Sequence, residues 1–290
     1  MLYLEAFTFP TEEEEHAFFM EKRANCYSSF YPYQVLGGRL ERLDFEPITI
    51  LAGSNGSGKS TALGVIAEKL RLTRRSPFNK TEFYASYVDR CTEHGAEHIP
   101  PQSAILTSDD VFEHMLDLRR INDGVDADRG GVVEEYYRLR SEEYSNFSFK
   151  SMEQLDTLKK LSAARRKTRS AYTRTHLAPN LRTHSNGETA LRVFTEVIRD
   201  GGLYLLDEPE NSLSPEKQCA LADYIVESAR SFGCQFILST HSIFLLAMKR
   251  AKIYDFDEQP VDVKPWQEVK GAQVYRDFFR KHEGDLLDFS

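Results

Sequence analysis

A nine-residue loop between an apolar strand and a helix limits what this chain can fold into more than any other feature. Residues 48–52 read ITILA and residues 53–61 read GSNGSGKST. From Thr61 to Leu72, Leu63, Ile66, Ala67 and Leu70 recur at helical spacing. The loop fits the pattern GxxxxGK[ST] at Gly53, Gly58, Lys59 and Ser60. Glycines let a backbone curl until successive N–H groups converge on one anion, and a helix that starts there adds its positive end. The cradle comprises Gly53, Ser54, Asn55, Gly56, Ser57, Gly58, Lys59, Ser60 and Thr61. Lys59 is placed to reach the β- and γ-phosphates of a nucleotide, and the Ser60 hydroxyl to ligate Mg2+. A Gly-rich turn that merely precedes a lysine would not explain the strand before it and the helix after it.

The rest of the chain supplies a sheet for this loop. Leu40–Phe45 and Ile48–Ala52 read as strands broken at Glu46-Pro47. Ser103–Thr107, Leu203–Leu206, Phe236–Leu238 and Lys252–Phe256 read as short strands, mostly buried. Helices are expected from Thr11, from Ser185, from Ser214-Pro215 to near Gly233, and over Val274–Lys281. Strands alternating with helices predict an α/β fold with a mostly parallel central sheet. The polar middle predicts a loop over Asn122–Gly131 and surface helices over Val132–Tyr144 and Ser151–Ala171. The expected organisation is therefore an N-terminal core part over 1–73, a mainly helical insertion over 74–182, and a C-terminal core part over 183–290.

A second motif, LYLLDEPE at 203–210, sets acids at the end of a buried strand. Ligands of open α/β sheets bind at that end. Asp207 is the expected second Mg2+ ligand, and Glu208 the group that polarises the attacking water. Phosphoryl transfer asks for little more than such positioning and charge. A solvated acidic turn is the plain alternative, and the phosphate loop upstream argues against it.

Between the two motifs, residues 183–194 read THSNGETALRVF, in which Ser185 and Glu188 form a capping-box pattern. In the order phosphate loop, SNGE, LLDEP and a histidine after a strand, the chain resembles the ABC ATPase class of P-loop NTPases. It looks most like the soluble branch: RecF-like and chromosome-maintenance heads, and the small stand-alone AAA-family ATPases of bacteria. The resemblance covers roughly 40–72 and 181–256. It implies an ABC-ATPase head that binds ATP and Mg2+ and hydrolyses ATP. It further implies a homodimer, in which Ser185, Asn186, Gly187 and Glu188 of one subunit cap the γ-phosphate held by the other. His241, in FILSTHS, falls where that class carries its switch histidine, and Asn211–Pro215 where a loop crosses the dimer interface. The chain departs from the transporter pattern. Its signature is SNGE rather than LSGGQ, and Ser214 replaces an aspartate. For the glutamine loop both Gln102 and the pair Asp109/Asp110 qualify. Long coiled-coil arms are absent from the sequence.

Charge and cysteine usage set the remaining expectations. The net charge of −8 hides a basic segment: Lys150 to Arg182 carries +7, with nine basic residues against Glu153 and Asp156, which leaves −15 elsewhere. That segment suits a nucleic-acid backbone, a solvated helix face, or arginines reaching phosphates. Cys91, His94 and His98 have metal-like spacing without an evident fourth ligand, so zinc is the lesser reading there. Tyr31 and Tyr33 are placed to stack on adenine or to pack in the core. Scattered cysteines, no signal peptide and no span-length apolar run predict a cytoplasmic protein. A dimeric ATPase working on nucleic acid or a protein effector is the expected function. An ATP-gated switch with little turnover is its nearest rival, and a transporter subunit is a weaker one.

Overall fold

The apolar runs of the sequence become the strands of a central sheet. The structure is a computed structural model that describes residues 2–21, 30–139, 164, 166, 168 and 186–287. In chain order, β1 (Ala6–Thr8) and α1 (Glu12–Glu21) lead to β2 (Arg42–Asp44), β3 (Ile48–Ala52) and α2 (Lys59–Lys69). They are followed by α3 (Tyr84–Arg90), β4 (Thr92–His94), β5 (Ala104–Thr107) and α4 (Ser108–Leu139). Beyond these lie α5 (Asn186–Val197), β6 (Leu203–Asp207), α6 (Pro215–Ser231), β7 (Gln235–Thr240) and α7 (Ile243–Leu246). The chain then forms β8 (Lys252–Asp255), β9 (Asp262–Val263) and α8 (Lys270–Lys281).

The central sheet runs β5-β6-β7-β3-β8-β9. Its first five strands are parallel, and only the edge strand β9 pairs antiparallel. Every residue of β3 and of β7 is buried, as expected where helices cover both faces of a parallel sheet. In register, Ala52 of β3 lies beside Thr240 of β7, and Asp207 of β6 beside Ser239. The ends of β3, β6 and β7 therefore open on the same edge. A second sheet, β2-β1-β4, is antiparallel. At the start of α1, the Glu14 N–H donates to Thr11 Oγ1 at 3.2 Å and the Thr11 N–H donates to Glu14 Oε2 at 2.9 Å. This reciprocal pair is the capping box that fixes the first turn.

The chain divides into two compact units, residues 1–113 with 185–290, and residues 114–184. The core unit thus takes in 74–113, which the sequence assigns to the helical insertion. β5 joins the central sheet with Ala104, Ile105 and Leu106 buried, Thr73 bridges to Ala104, and β4 pairs with β1. The reason for the difference is that β4 reads TEH, too short and polar to show a strand period. A second difference concerns Asn122–Gly131, expected as a loop and found inside α4. Apolar residues at Val111, Ile121, Val125, Val132 and Tyr136 keep the helical period across it. The three glycines of this stretch, Gly124, Gly130 and Gly131, cost about 1 kcal/mol each relative to alanine, which a 32-residue helix can absorb. The helix expected over Ser151–Ala171 falls almost wholly outside the described residues.

Candidate nucleotide-binding site

The loop from Gly53 to Gly58 joins β3 to α2. Gly53, Gly56 and Gly58 all have left-handed φ, at 149°, 81° and 102°. At Gly58 two demands coincide: besides its φ, a Cβ would stand 2.9 Å from Leu36 Cδ2. The Lys59 side chain, 3% exposed, turns back over the loop. Its ammonium donates to the carbonyls of Gly53 (2.9 Å) and Ser54 (2.8 Å). Asp257, just beyond β8, accepts from the Ser54 N–H (2.9 Å) and the Ser54 hydroxyl (2.6 Å). Arg39 ties the loop to the segment after β8, donating to the Ser57 carbonyl at 3.5 Å and to the Phe256 carbonyl at 2.6 Å.

Ser60, in the first turn of α2, meets the end of β6. Its hydroxyl donates to Asp207 Oδ1 at 2.9 Å, and the Ser239 hydroxyl donates to the same oxygen. Burial pushes the Asp207 carboxyl up from the ordinary carboxylate range. The hydroxyls of Ser239 and Ser60 pull the other way, nearby Glu208 adds to the rise, and Arg74 opposes it. A serine oxygen and a carboxylate are the hard donors that Mg2+ takes from a protein when phosphates and water complete its shell. The residues present therefore fit that ion.

Glu208 follows with φ 47° and ψ 53°, a left-handed conformation that costs a non-glycine residue about 1–2 kcal/mol. Its N–H donates to the Ser239 carbonyl at 3.1 Å, and Asn211 Nδ2 donates to its Oε2 at 3.0 Å. The turn breaks the strand direction and leaves the carboxylate partly exposed beside Asp207. Strain of this kind gathers at functional sites. His241 stands past the end of β7, its side chain 46% exposed and its Nδ1 3.4 Å from Glu210 Oε1.

The structure brings Ser60, Asp207 and Ser239 into contact, with Glu208 alongside. Ser185 lies outside the described residues, as does most of the basic segment 150–182. Asn186, Gly187 and Glu188 form the first turn of α5. Gln102 is not at this edge: it precedes β5, and its amide donates to the carbonyls of Asp200 (3.0 Å) and Gly201 (2.8 Å) at the opposite end of the sheet. Asp110 is buried and holds Ser76 and Thr107 by hydrogen bonds, whereas Asp109 is exposed. Tyr33 belongs to the core, stacked on Phe18 with centroids 4.2 Å apart. Tyr31 lines a 270 Å3 pocket beside Ser60 and Asp207, together with Arg74 and Tyr84. Cys91 is buried with its thiol on the Tyr87 carbonyl, and His94 bonds the Thr8 hydroxyl. Among the described residues no three His, Cys, Asp or Glu side chains gather as a metal site, so the zinc spacing finds no support.

Sequence reasoning passed over four site residues: Arg39, Arg74, Glu210 and Asp257. The two acids carried a usable signal, since each closely follows the end of a parallel strand. Arg74 carried none. It reaches the site through a segment without a repeating pattern, with its guanidinium 3.9 Å from the centre of the Phe78 ring.

Fold and site together define an α/β core with a mostly parallel central sheet, in which a phosphate-type loop joins β3 to α2 beside the acids that end β6. Residues 127–247 match a family described as "AAA domain, putative AbiEii toxin, Type IV TA system", a span that holds LLDEPE and His241 but not the phosphate loop. No curated protein matches the chain. Among solved structures it is similar to an Smc head domain with an extended coiled coil, bound to the C-terminal domain of ScpA, from Pyrococcus furiosus. That likeness has 15% identity and a TM-score of 0.45 over 96% of this chain and 100% of the other. A second Smc head, bound to the C-winged helix domain of ScpA, gives 15% identity and 0.47 over 91% and 98%. A dimeric ATP-binding cassette in a post-hydrolysis state, bound to ADP and Pi, gives 12% and 0.35 over 79% and 90%. Among the described residues no helix is long and apolar enough to cross a membrane.

Proposed function

We infer that the protein is a Mg2+-dependent ATP hydrolase that closes as a homodimer around two ATP molecules and so drives or gates a partner. The observation that carries this reading is the 2.9 Å contact between Ser60 Oγ and Asp207 Oδ1, with Glu208 held beside it in a strained turn. Mg2+, when bound between Ser60 and Asp207, would neutralise charge on the β- and γ-phosphates. Lys59 exchanges the loop carbonyls it now holds for phosphate oxygens. The Glu208 carboxylate accepts a hydrogen bond from the attacking water and aligns it with the γ-phosphorus. His241 donates to the γ-phosphate from the end of β7. Asn55 and Gly56, at the exposed tip of the loop, direct backbone N–H groups at the phosphates.

None of these residues covers the outer face of the γ-phosphate. The SNGE segment, Ser185 to Glu188, suits that task at a helix start, and in the proposed dimer it serves the partner's nucleotide. The dimer is two-fold symmetric. Lys59→Ala and Ser185→Arg each remove a different half of the composite site, so the two inactive proteins regain ATPase activity when mixed. Light scattering on Glu208→Gln finds dimer with MgATP and monomer with ADP. A monomer at saturating MgATP and an inactive mixture would exclude the two-nucleotide dimer. The basic segment fits a nucleic-acid backbone. Charge reversal at Lys159, Lys160, Arg165, Arg166 and Lys167 weakens DNA or RNA binding at low salt without changing ATP affinity.

A further inference from the structure

We propose that Glu210 is a positioning residue that latches His241 in place; this role rests on the ATPase reading above. The turn after β6 carries two glutamates with opposite environments. Glu208 faces the nucleotide edge, while Glu210, two residues on, is 5% exposed and points inward. One of its oxygens, Oε1, accepts from the Thr240 hydroxyl at 2.7 Å and from the His241 N–H at 2.8 Å. The His241 Nδ1 stands 3.4 Å from the same oxygen. The latch continues through Thr240, whose hydroxyl oxygen accepts from the Ser242 N–H at 3.0 Å.

Chain direction explains why the latch is needed. β7 ends at Thr240, so the His241 N–H lies beyond the sheet ladder and would otherwise lack a partner. A buried carboxylate is an expensive way to supply one acceptor. Its Oε2 is buried and has no partner among the described residues, an arrangement that costs free energy and that an apolar side chain would avoid. The position therefore does more than fill space. Glu210 fixes the backbone on both sides of the imidazole, and with it the direction in which the ring leaves the sheet. The turn that bears Glu210 also packs against α5, the helix that opens with Asn186, Gly187 and Glu188. One short turn thus touches the catalytic glutamate, the switch histidine and the signature helix.

The test uses three substitutions and two measurements. Glu210→Ala removes the acceptor, Glu210→Gln keeps an oxygen in its place, and Thr240→Val removes one donor while sparing the His241 N–H. Misplacing a group that meets the γ-phosphate lowers kcat in Glu210→Ala by about 10- to 100-fold while KM for ATP stays within about threefold. Glu210→Gln returns kcat to within about fivefold of the parent, and Thr240→Val falls between. Hydrogen exchange on the nucleotide-free protein shows faster exchange at residues 240–243 in Glu210→Ala and parental exchange in Glu210→Gln. Wild-type kcat in Glu210→Ala, a KM that rises as kcat falls, or a Gln variant as slow as the Ala variant overturns the latch. Should Glu210→Ala fail to fold, the Gln and Val variants carry the same comparison. Exchange needs no turnover. A parent protein that fails to hydrolyse ATP, yet shows this exchange pattern, defeats the ATPase reading and leaves the latch standing; parental exchange in Glu210→Ala defeats the latch itself.

Discussion

The two ends of the central sheet carry similar polar residues in opposite situations. At the N-terminal ends, Gln235 is fully buried and its amide makes three hydrogen bonds: Oε1 accepts from the N–H groups of Tyr3 and Leu4, and Nε2 donates to the Leu4 carbonyl. Gln102 and Ser103 likewise give their side chains to backbone groups around Asp200–Leu203. At the C-terminal ends, Ser60, Asp207, Glu208 and His241 reach solvent: Ser60 bonds Asp207, Glu208 accepts from Asn211, and His241 stands against Glu210, with donor and acceptor capacity left over. The larger described pocket, 460 Å3 and lined by Pro47, Ile48, Arg230 and Lys249, lies at the N-terminal end, away from these groups. The difference teaches that similar polar residues close off backbone groups at one end of the sheet and stay unsaturated at the other, the end where ligands of open α/β sheets bind.

Four substitutions can break this contrast, from the largest expected effect to the smallest. Glu208→Gln lowers ATP turnover by about 10²- to 10⁴-fold, the range for losing a group that handles the attacking water, and leaves nucleotide affinity intact. Steady-state phosphate release measures it, and a variant as fast as the parent would exclude Glu208 as the group that polarises the attacking water. Lys59→Ala weakens ATP binding by about 10²-fold, because no other cation on the loop replaces its charge-assisted bonds to phosphate. Calorimetry that finds parental affinity would move the phosphate site elsewhere.

At the other end the expected effects are on stability alone. Gln235→Ala leaves three backbone groups without their partner and costs about 2–4 kcal/mol. The urea midpoint falls while the folded fraction turns over ATP at the parental rate. Gln102→Ala costs about 1 kcal/mol and leaves turnover unchanged, since its bonds serve only the Asp200–Gly201 corner. A Gln102→Ala protein that is stable and inactive would erase the distinction between the two ends and restore Gln102 as the glutamine-loop residue.

The sequence determined what depends on local pattern. The curled loop between β3 and α2 was legible because such curvature demands glycines, and Gly53, Gly56 and Gly58 take the left-handed φ values that glycine adopts at little cost. Asp207 and Glu208 were legible because an apolar run of four ends on them. Tertiary structure alone decided what depends on register and on distant segments. Which acid would face outward and which inward was not written in DEPE; it followed from the left-handed turn at Glu208 and from the placement of β7 beside β6. That Asp257 would hold Ser54, Arg39 the Phe256 carbonyl, and Arg74 would stand near Asp207 required chain segments far apart in sequence to meet. Periodicity reports the conformation of one stretch of chain, whereas a site at a sheet edge is assembled from the ends of several strands, and only packing brings those ends together.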